Sequence, residues 1–200
     1  MSKALPRIYL VRHGETAWSA SGQHTGGTDI PLSQRGEENA AGLRERLHGI
    51  RPVRILCSPL RRARATCDLA GFGGTVEIEP DLTEWGYGDY EGRTTADIRK
   101  ERPDWSLFRD GCPNGEPLDL VGERADRSIR GLRALNGDAL LFGHSHMFRV
   151  LVARWLALAP RAGAFFQLAP ASISVLSFEH TTEEPVIALL SAMTLAVADV

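Results

Sequence analysis

Three short aliphatic runs, "IYLV" at 8–11, "VRILC" at 53–57 and "ALLF" at 139–142, alternate with longer stretches of helical periodicity. That alternation constrains the fold more than any other feature, because it selects a largely parallel sheet with helices on both faces. Ser33 is placed to cap a helix over 34–48, in which Ala40, Leu43 and Leu47 share one face. Further helices are expected over 60–70, over Thr95–Glu101 and over 119–135. The run 147–158 is apolar nearly all round and reads as a buried helix. Residues 172–178 and 185–191 are β-rich and joined by a polar turn at 180–184, the pattern of a hairpin.

In such sheets ligands bind beyond the carboxyl ends of the strands. Arg12 and His13 follow the first run, Ser58 to Arg62 the second and His144 the third, so these groups are expected on one rim. The loops 19–32 and 86–93 are long enough to cover it. With 200 residues, 43% of them hydrophobic and no low-complexity linker, one domain over 1–200 is expected.

A net charge of −2 gives no general attraction to nucleic acid or to a membrane surface, so neither is expected as a partner. Lys3 and Lys100 are the two lysines among 23 basic residues, an arginine excess that hints weakly at phosphate or carboxylate recognition. Cys57, Cys67 and Cys112 form no C-x-x-C pair, which argues against a disulfide framework and a cysteine zinc site. Neither a signal-peptide core nor a membrane-length apolar run is evident, and the cytoplasm is the expected location.

Two histidines, two arginines and an acid on one rim suit phosphate chemistry. Arginine forks grip non-bridging oxygens, and a neutral imidazole can attack phosphorus. Other phosphate chemistries fit less well. The position six after each cysteine holds Ala63, Gly73 or Leu118 rather than arginine, no aspartate has another two positions on, and neither lysine follows a glycine. His144 and His146 have H-x-H spacing without an acid-rich partner set, so neither a metal nor another cofactor is expected. "GHSHM" at 143–147 is close to the G-x-S-x-G elbow of α/β-hydrolases, with Ser145 as nucleophile. That reading leaves Glu179 and His180, adjacent in sequence, as the only relay, and leaves "RHGE" unexplained. His24, His48 and His180 read as ordinary histidines.

"LVRHGET", "HTGGTDIPLSQRG", "SPLRRARAT", "LTEWGYGDYEG" and "GHSHMFR" occur in that order over residues 8–149. Together they resemble the histidine phosphatase superfamily, the phosphoglycerate-mutase-like group. With "RDGCPNGE" at 109–116 they are most similar to its small acid phosphatases and sedoheptulose-bisphosphatase-like members. The resemblance implies a three-layer α/β/α sandwich, a small phosphorylated substrate and a phosphohistidine on His13. It implies that Arg12 and Arg62 grip phosphate, that His144 stabilises the transferring group and that Glu84 is the general acid and base. Thr25, Gly26 and Ser145 match substrate-loop and phosphate-contacting positions, Trp85 and Tyr87 are candidates to wall the pocket, and His146 and Arg149 resemble contacts to the distal end of sugar bisphosphates.

Ser19 stands where mutases usually carry Asn, and Ser145 where glycine usually follows the second histidine. The chain also lacks the insertion and tail that mutases tend to use as a shield, and a more open site favours hydrolysis over transfer. A phosphomonoesterase is therefore the primary expectation. A phosphoglycerate mutase or an inert phospho-ligand binder are the alternatives on the same fold, and the C-terminal hairpin offers an edge for a homodimer.

Overall fold

The computed structural model describes residues 5–194. Six strands, β1 (Ile8–Arg12), β2 (Arg54–Cys57), β3 (Glu77–Ile78), β4 (Ala139–Gly143), β5 (Ile173–Phe178) and β6 (Pro185–Ala192), form one sheet in the order β3-β2-β4-β1-β5-β6. The β3-β2, β2-β4 and β4-β1 pairs are parallel, whereas β5 is antiparallel to both β1 and β6. The sheet is thus mostly parallel, with the expected hairpin as its antiparallel side.

Side-chain alternation along β1 explains the layering. Tyr9 and Val11 face one side, where Leu43 and Leu47 of the α2 segment (helix Gln34–Arg46) and Ala63 and Cys67 of α3 (Arg61–Leu69) pack. Ile8 and Leu10 face the other side, covered by Val121, Ala125, Ile129 and Leu132 of α6 (Leu118–Arg133) and Phe148, Leu151 and Trp155 of α7 (Ser145–Trp155). Every residue of β4 is buried, as a central strand covered on both faces must be. Truncating Phe142, which is fully buried in β4, is expected to cost about 3–5 kcal/mol through lost contacts and the cavity left behind.

Several elements are not signalled by periodicity. The helices α1 (Ala17–Ser21) and α5 (Leu107–Asp110) are one turn each, and β3 is two exposed residues; α4 (Thr95–Glu101) falls on the expected residues. The apolar run expected to be helical from 147 begins at Ser145 and ends at Trp155, with Ala157 in the left-handed region at φ 58°. The helix starts earlier because the Glu84 carboxylate, and not a side chain at the His144 N-cap position, accepts the His146 and Met147 amides of its first turn, so it opens on polar residues before its apolar stripe begins.

Register carries the strand ends to one rim. Arg12 pairs with Gly143 and Cys57 with Phe142, and the His13 and Ser58 amides donate to the Gly143 and Phe142 carbonyls at 2.9 and 3.0 Å. The turn after β1 is locked against α2. A Cβ on Gly14 would lie 2.4 Å from the Gly36 carbonyl oxygen, and one on Gly36 would lie 2.0 Å from that of Glu15. Ser33 joins the same contact: it caps α2 by accepting from the Gly36 amide at 3.0 Å and donates its hydroxyl to Glu15 at 2.9 Å.

Candidate active site

His13 ends β1 with its ring buried and Nδ1 2.6 Å from the Gly14 carbonyl oxygen. A carbonyl only accepts, so Nδ1 carries the proton and Nε2 keeps the lone pair. Burial, and then the positive charges of Arg12 and Arg62, push the His13 imidazolium well below the usual histidine range. The ring is therefore neutral at pH 7. Its backbone is pinned as well: Ala171 donates to the His13 carbonyl at 3.1 Å, and the Gly14 amide donates to Thr66 at 3.0 Å.

His144 lies across from it, with ring centroids 5.2 Å apart and planes tilted by 58°. Its Nε2 is 2.7 Å from the Ser58 hydroxyl, which accepts from the Leu60 amide at 3.4 Å. The Ser58 hydroxyl can donate to Nε2 while it accepts from Leu60, and in that arrangement the His144 proton is on Nδ1, the ring nitrogen without a protein partner. Burial, followed by Arg62, His13 and Arg12, lowers its pKa well below the usual range, so this ring is neutral too.

The two arginines are held by carbonyls. Arg62, fully buried, donates through Nη1 to Thr28 at 3.0 Å and through Nη2 to Thr25 and Gly26 at 3.0 and 2.9 Å. Arg12 donates to the Leu168 carbonyl. Burial pulls the Arg12 guanidinium down to about 10, which still leaves it charged at neutral pH. Buried polar atoms are nearly always hydrogen-bonded. Among the described residues six buried side-chain nitrogen and oxygen atoms have no partner, and three of them belong to residues of this site: Arg12 Nε, Arg62 Nε and His144 Nδ1. Three donors of this kind, two of them charged, suit an anion.

Glu84 brings a carboxylate to the same site. Its Oε1 accepts from the Trp85 and Met147 amides at 3.0 and 2.8 Å, and Oε2 accepts from the His146 amide at 3.1 Å. The carboxylate thus sits on the amino end of α7, held by donors that orient it without blocking it; the group still lines the cavity.

That cavity measures about 400 Å³. Arg12, His13 and Glu84 line it, as do Ser19, Thr25, Tyr87, Ser145, His146 and Arg149. Arg62 and His144 are fully buried and do not line it. Two expected positions differ. Trp85 does not wall the pocket: it is fully buried, its indole donates to the Glu116 carbonyl at 2.7 Å, and it lies behind Tyr87. An indole has one polar atom, and here a backbone carbonyl satisfies it, which lets the ring lie in the core. Gly26 likewise is absent from the lining and contributes its carbonyl to Arg62. Ser19 is at the wall, yet its hydroxyl accepts from the Thr16 amide at 2.9 Å in the box that caps α1.

The outer half of the cavity is aromatic. The Tyr87 hydroxyl is 2.6 Å from His146 Nδ1, and the His24 and Tyr87 ring centroids are 4.9 Å apart. Arg149 lies 4.6 Å above Phe108 and donates to the Gly163 and Ala164 carbonyls at 2.9 and 3.2 Å. Burial, then Arg149 and His24, keep His146 well below the usual histidine range, and burial pushes the Tyr87 phenol well up.

His24, Gln23, Thr95 and the segment 167–170 also line the cavity, although sequence reasoning assigned them nothing. His24 differs from His48 and His180, which are exposed; its place beside Thr25 in "HTGGT" was the available signal. Nothing in the residues 167–170 marks them. Among the described residues no group of three His, Cys, Asp or Glu side chains is arranged to hold a metal, and no helix is long and apolar enough to cross a membrane.

The sequence model of the histidine phosphatase superfamily (branch 1) matches residues 8–190. An acid phosphatase of Mycobacterium tuberculosis is 42% identical over 180 residues, covering 87% of each chain. Sedoheptulose 1,7-bisphosphatase of Saccharomyces cerevisiae is 37% identical over 191 residues, covering 79% of this chain and 70% of the yeast protein. The solved structure of a functionally characterised open reading frame of Mycobacterium tuberculosis superposes with a TM-score of 0.87 at 39% identity, covering 94% of this chain and 98% of that one.

Proposed function

The chain belongs to the histidine phosphatase superfamily, and from that premise we propose how its residues hydrolyse phosphate monoesters. It is a phosphatase of small phosphorylated metabolites, as its relatives' names as acid phosphatase and sugar bisphosphatase support. The mutase reading has less support.

The observation that carries the mechanism is the 2.6 Å contact of His13 Nδ1 with the Gly14 carbonyl, which leaves Nε2 as a neutral nucleophile. Its lone pair attacks phosphorus as the bond to the substrate alcohol breaks, and Glu84 gives the departing oxygen its proton. The Nε–H groups of Arg12 and Arg62 and the Nδ1–H of His144 bind the non-bridging oxygens throughout and tighten as charge spreads over them. Water then attacks the phosphohistidine, Glu84 takes its proton, and the P–N electron pair returns to Nε2.

Ser19, Thr25 and Ser145 border the phosphate. Tyr87, His146 and Arg149 receive the remainder of the substrate, with a second phosphate at Arg149 when the substrate is a bisphosphate. One catalytic domain is part of this reading, supported by the family match over 8–190 and by the single sheet. So is a cytoplasmic location, supported by three free thiols, two of them buried.

Acid-quenched labelling with a phosphorylated substrate is expected to trap a base-stable, acid-labile phosphoenzyme. His13→Ala is expected to abolish it and to lower kcat by roughly 10⁴-fold or more, in line with loss of a covalent nucleophile. Normal turnover by His13→Ala would sink the mechanism.

A further inference from the structure

Arg62 is held in place by the loop 25–28, and that loop is itself held by one side chain that the reaction as written above does not use. Glu91 Oε1 accepts from the Gly26 amide at 2.8 Å and from the Thr28 amide at 3.0 Å. The Gly26 amide and the Thr25 carbonyl belong to one peptide unit, which is planar and trans, so its N–H and C=O point in opposite directions. Glu91 thus grips one edge of this plane while Arg62 Nη2 grips the other at 3.0 Å. The same arginine nitrogen also reaches the Gly26 carbonyl, and Nη1 reaches that of Thr28.

Two features show that this approach is built in. A Cβ on Gly26 would lie 2.8 Å from Glu91 Oε2 and 2.6 Å from the Trp85 carbonyl oxygen, so only glycine lets the carboxylate come this close. Asp29, at the far end of the loop, accepts from the Arg61 amide at 2.8 Å and fastens the loop to the first turn of α3.

We propose that Glu91 is a positioning residue for phosphate transfer: through the Thr25–Gly26 peptide it fixes the Arg62 guanidinium so that Nε, the nitrogen without a protein partner, meets the phosphoryl group. The inference rests on the proposed role of Arg62. Glu91 touches neither substrate nor reacting atoms. The loop carrying the acid, Glu84, is in this way tied to the helix carrying the phosphate grip, so that the two ends of the displacement hold a fixed separation.

Reach and an acceptor oxygen are what the role requires, and charge is not. Glu91→Ala and the shorter Glu91→Asp are expected to lower kcat/KM for a small phosphomonoester by about 10–100-fold, since misplacing a positioned group by an ångström costs on that order. Orthovanadate affinity is expected to fall in parallel, and Glu91→Gln, whose amide oxygen can accept both bonds, is expected to restore most of both. In an Arg62→Ala background Glu91→Ala is expected to add nothing, because its effect passes through that arginine.

Wild-type kcat/KM in Glu91→Ala would overturn the proposal. So would rescue by Asp where Gln fails, or a full additional loss in the Arg62→Ala background. Should Glu91→Ala not fold, the Asp and Gln pair still decides between reach and charge. Unchanged orthovanadate affinity in Arg62→Ala alone would instead remove the phosphate role of Arg62, on which the inference stands.

Discussion

The two ends of the cavity are built in opposite ways. At the inner end His13, His144 and Arg62 are buried and sit at strand ends or on the helix that follows; backbone partners Gly14, Thr25 and Thr28 fix His13 and Arg62, and the Ser58 hydroxyl holds His144. At the outer end Tyr87, His146 and His24 are held mainly by one another, ring against ring, on loops and a first helical turn. Backbone anchoring fixes a geometry that any phosphate ester shares. Side-chain anchoring lets the outer end be remodelled by changing single rings while the inner end keeps its geometry.

The comparison can be broken first at the acid, where the two ends meet. Glu84→Gln keeps one acceptor oxygen, enough for the Trp85 and Met147 amides but not for that of His146 as well, and it has no carboxyl proton to give. A loss of about 10²–10⁴-fold in kcat is expected for poor alcohol leaving groups, shrinking as the leaving group becomes more acidic. A loss independent of leaving-group pKa in steady-state assays would show that Glu84 serves geometry alone.

The outer end should respond selectively. Arg149→Ala is expected to lower kcat/KM on a sugar bisphosphate by about 10–100-fold, the range of a lost charge-assisted hydrogen bond, and to leave a monophosphate of the same sugar little changed. Equal losses on both substrates would mean that Arg149 acts on packing, through Phe108 and the 163–164 carbonyls, and not on a second phosphate.

Both ends share one liability. His13, His24, His144 and His146 all have pKa values lowered in the folded protein, by burial first of all. An unfolded histidine takes up a proton near pH 6.5, whereas these stay neutral, so below that pH the unfolded chain binds more protons and stability falls as pH falls. Each contributes at most about 1.4 kcal/mol per pH unit, until pH drops through its own folded pKa. Urea unfolding at pH 7 and pH 5 is expected to show the decline, and His24→Phe or His146→Phe is expected to reduce its slope. A flat profile would mean that the rings are charged in the native state.

The same contrast governs what could be read from the chain. The inner end was legible because strand ends are marked by hydrophobic runs, and topology does the rest: "LVRH" and "LLFGH" must surface together once the strands are parallel neighbours. The outer end is assembled from short pieces at 23–25, 87, 95, 146–149 and 167–170, and no periodicity links them. His24 reads as an ordinary histidine because a single histidine in a polar loop has no signature of its own. Trp85 and Tyr87 look equivalent as letters in "EWGYG", and only the satisfied indole N–H at Glu116 separates core from wall. Glu91 was invisible for a different reason: its partners are amides, which every residue has.

The back-to-back glycines at 14 and 36 have a practical corollary. Because each leaves no room for a side chain on the other segment, the turn bearing His13 has a shape only in the company of the first turn of α2. A transplant of "RHGET" onto another parallel sheet would carry the letters without the conformation. The smallest portable unit is two segments some twenty residues apart, moved together.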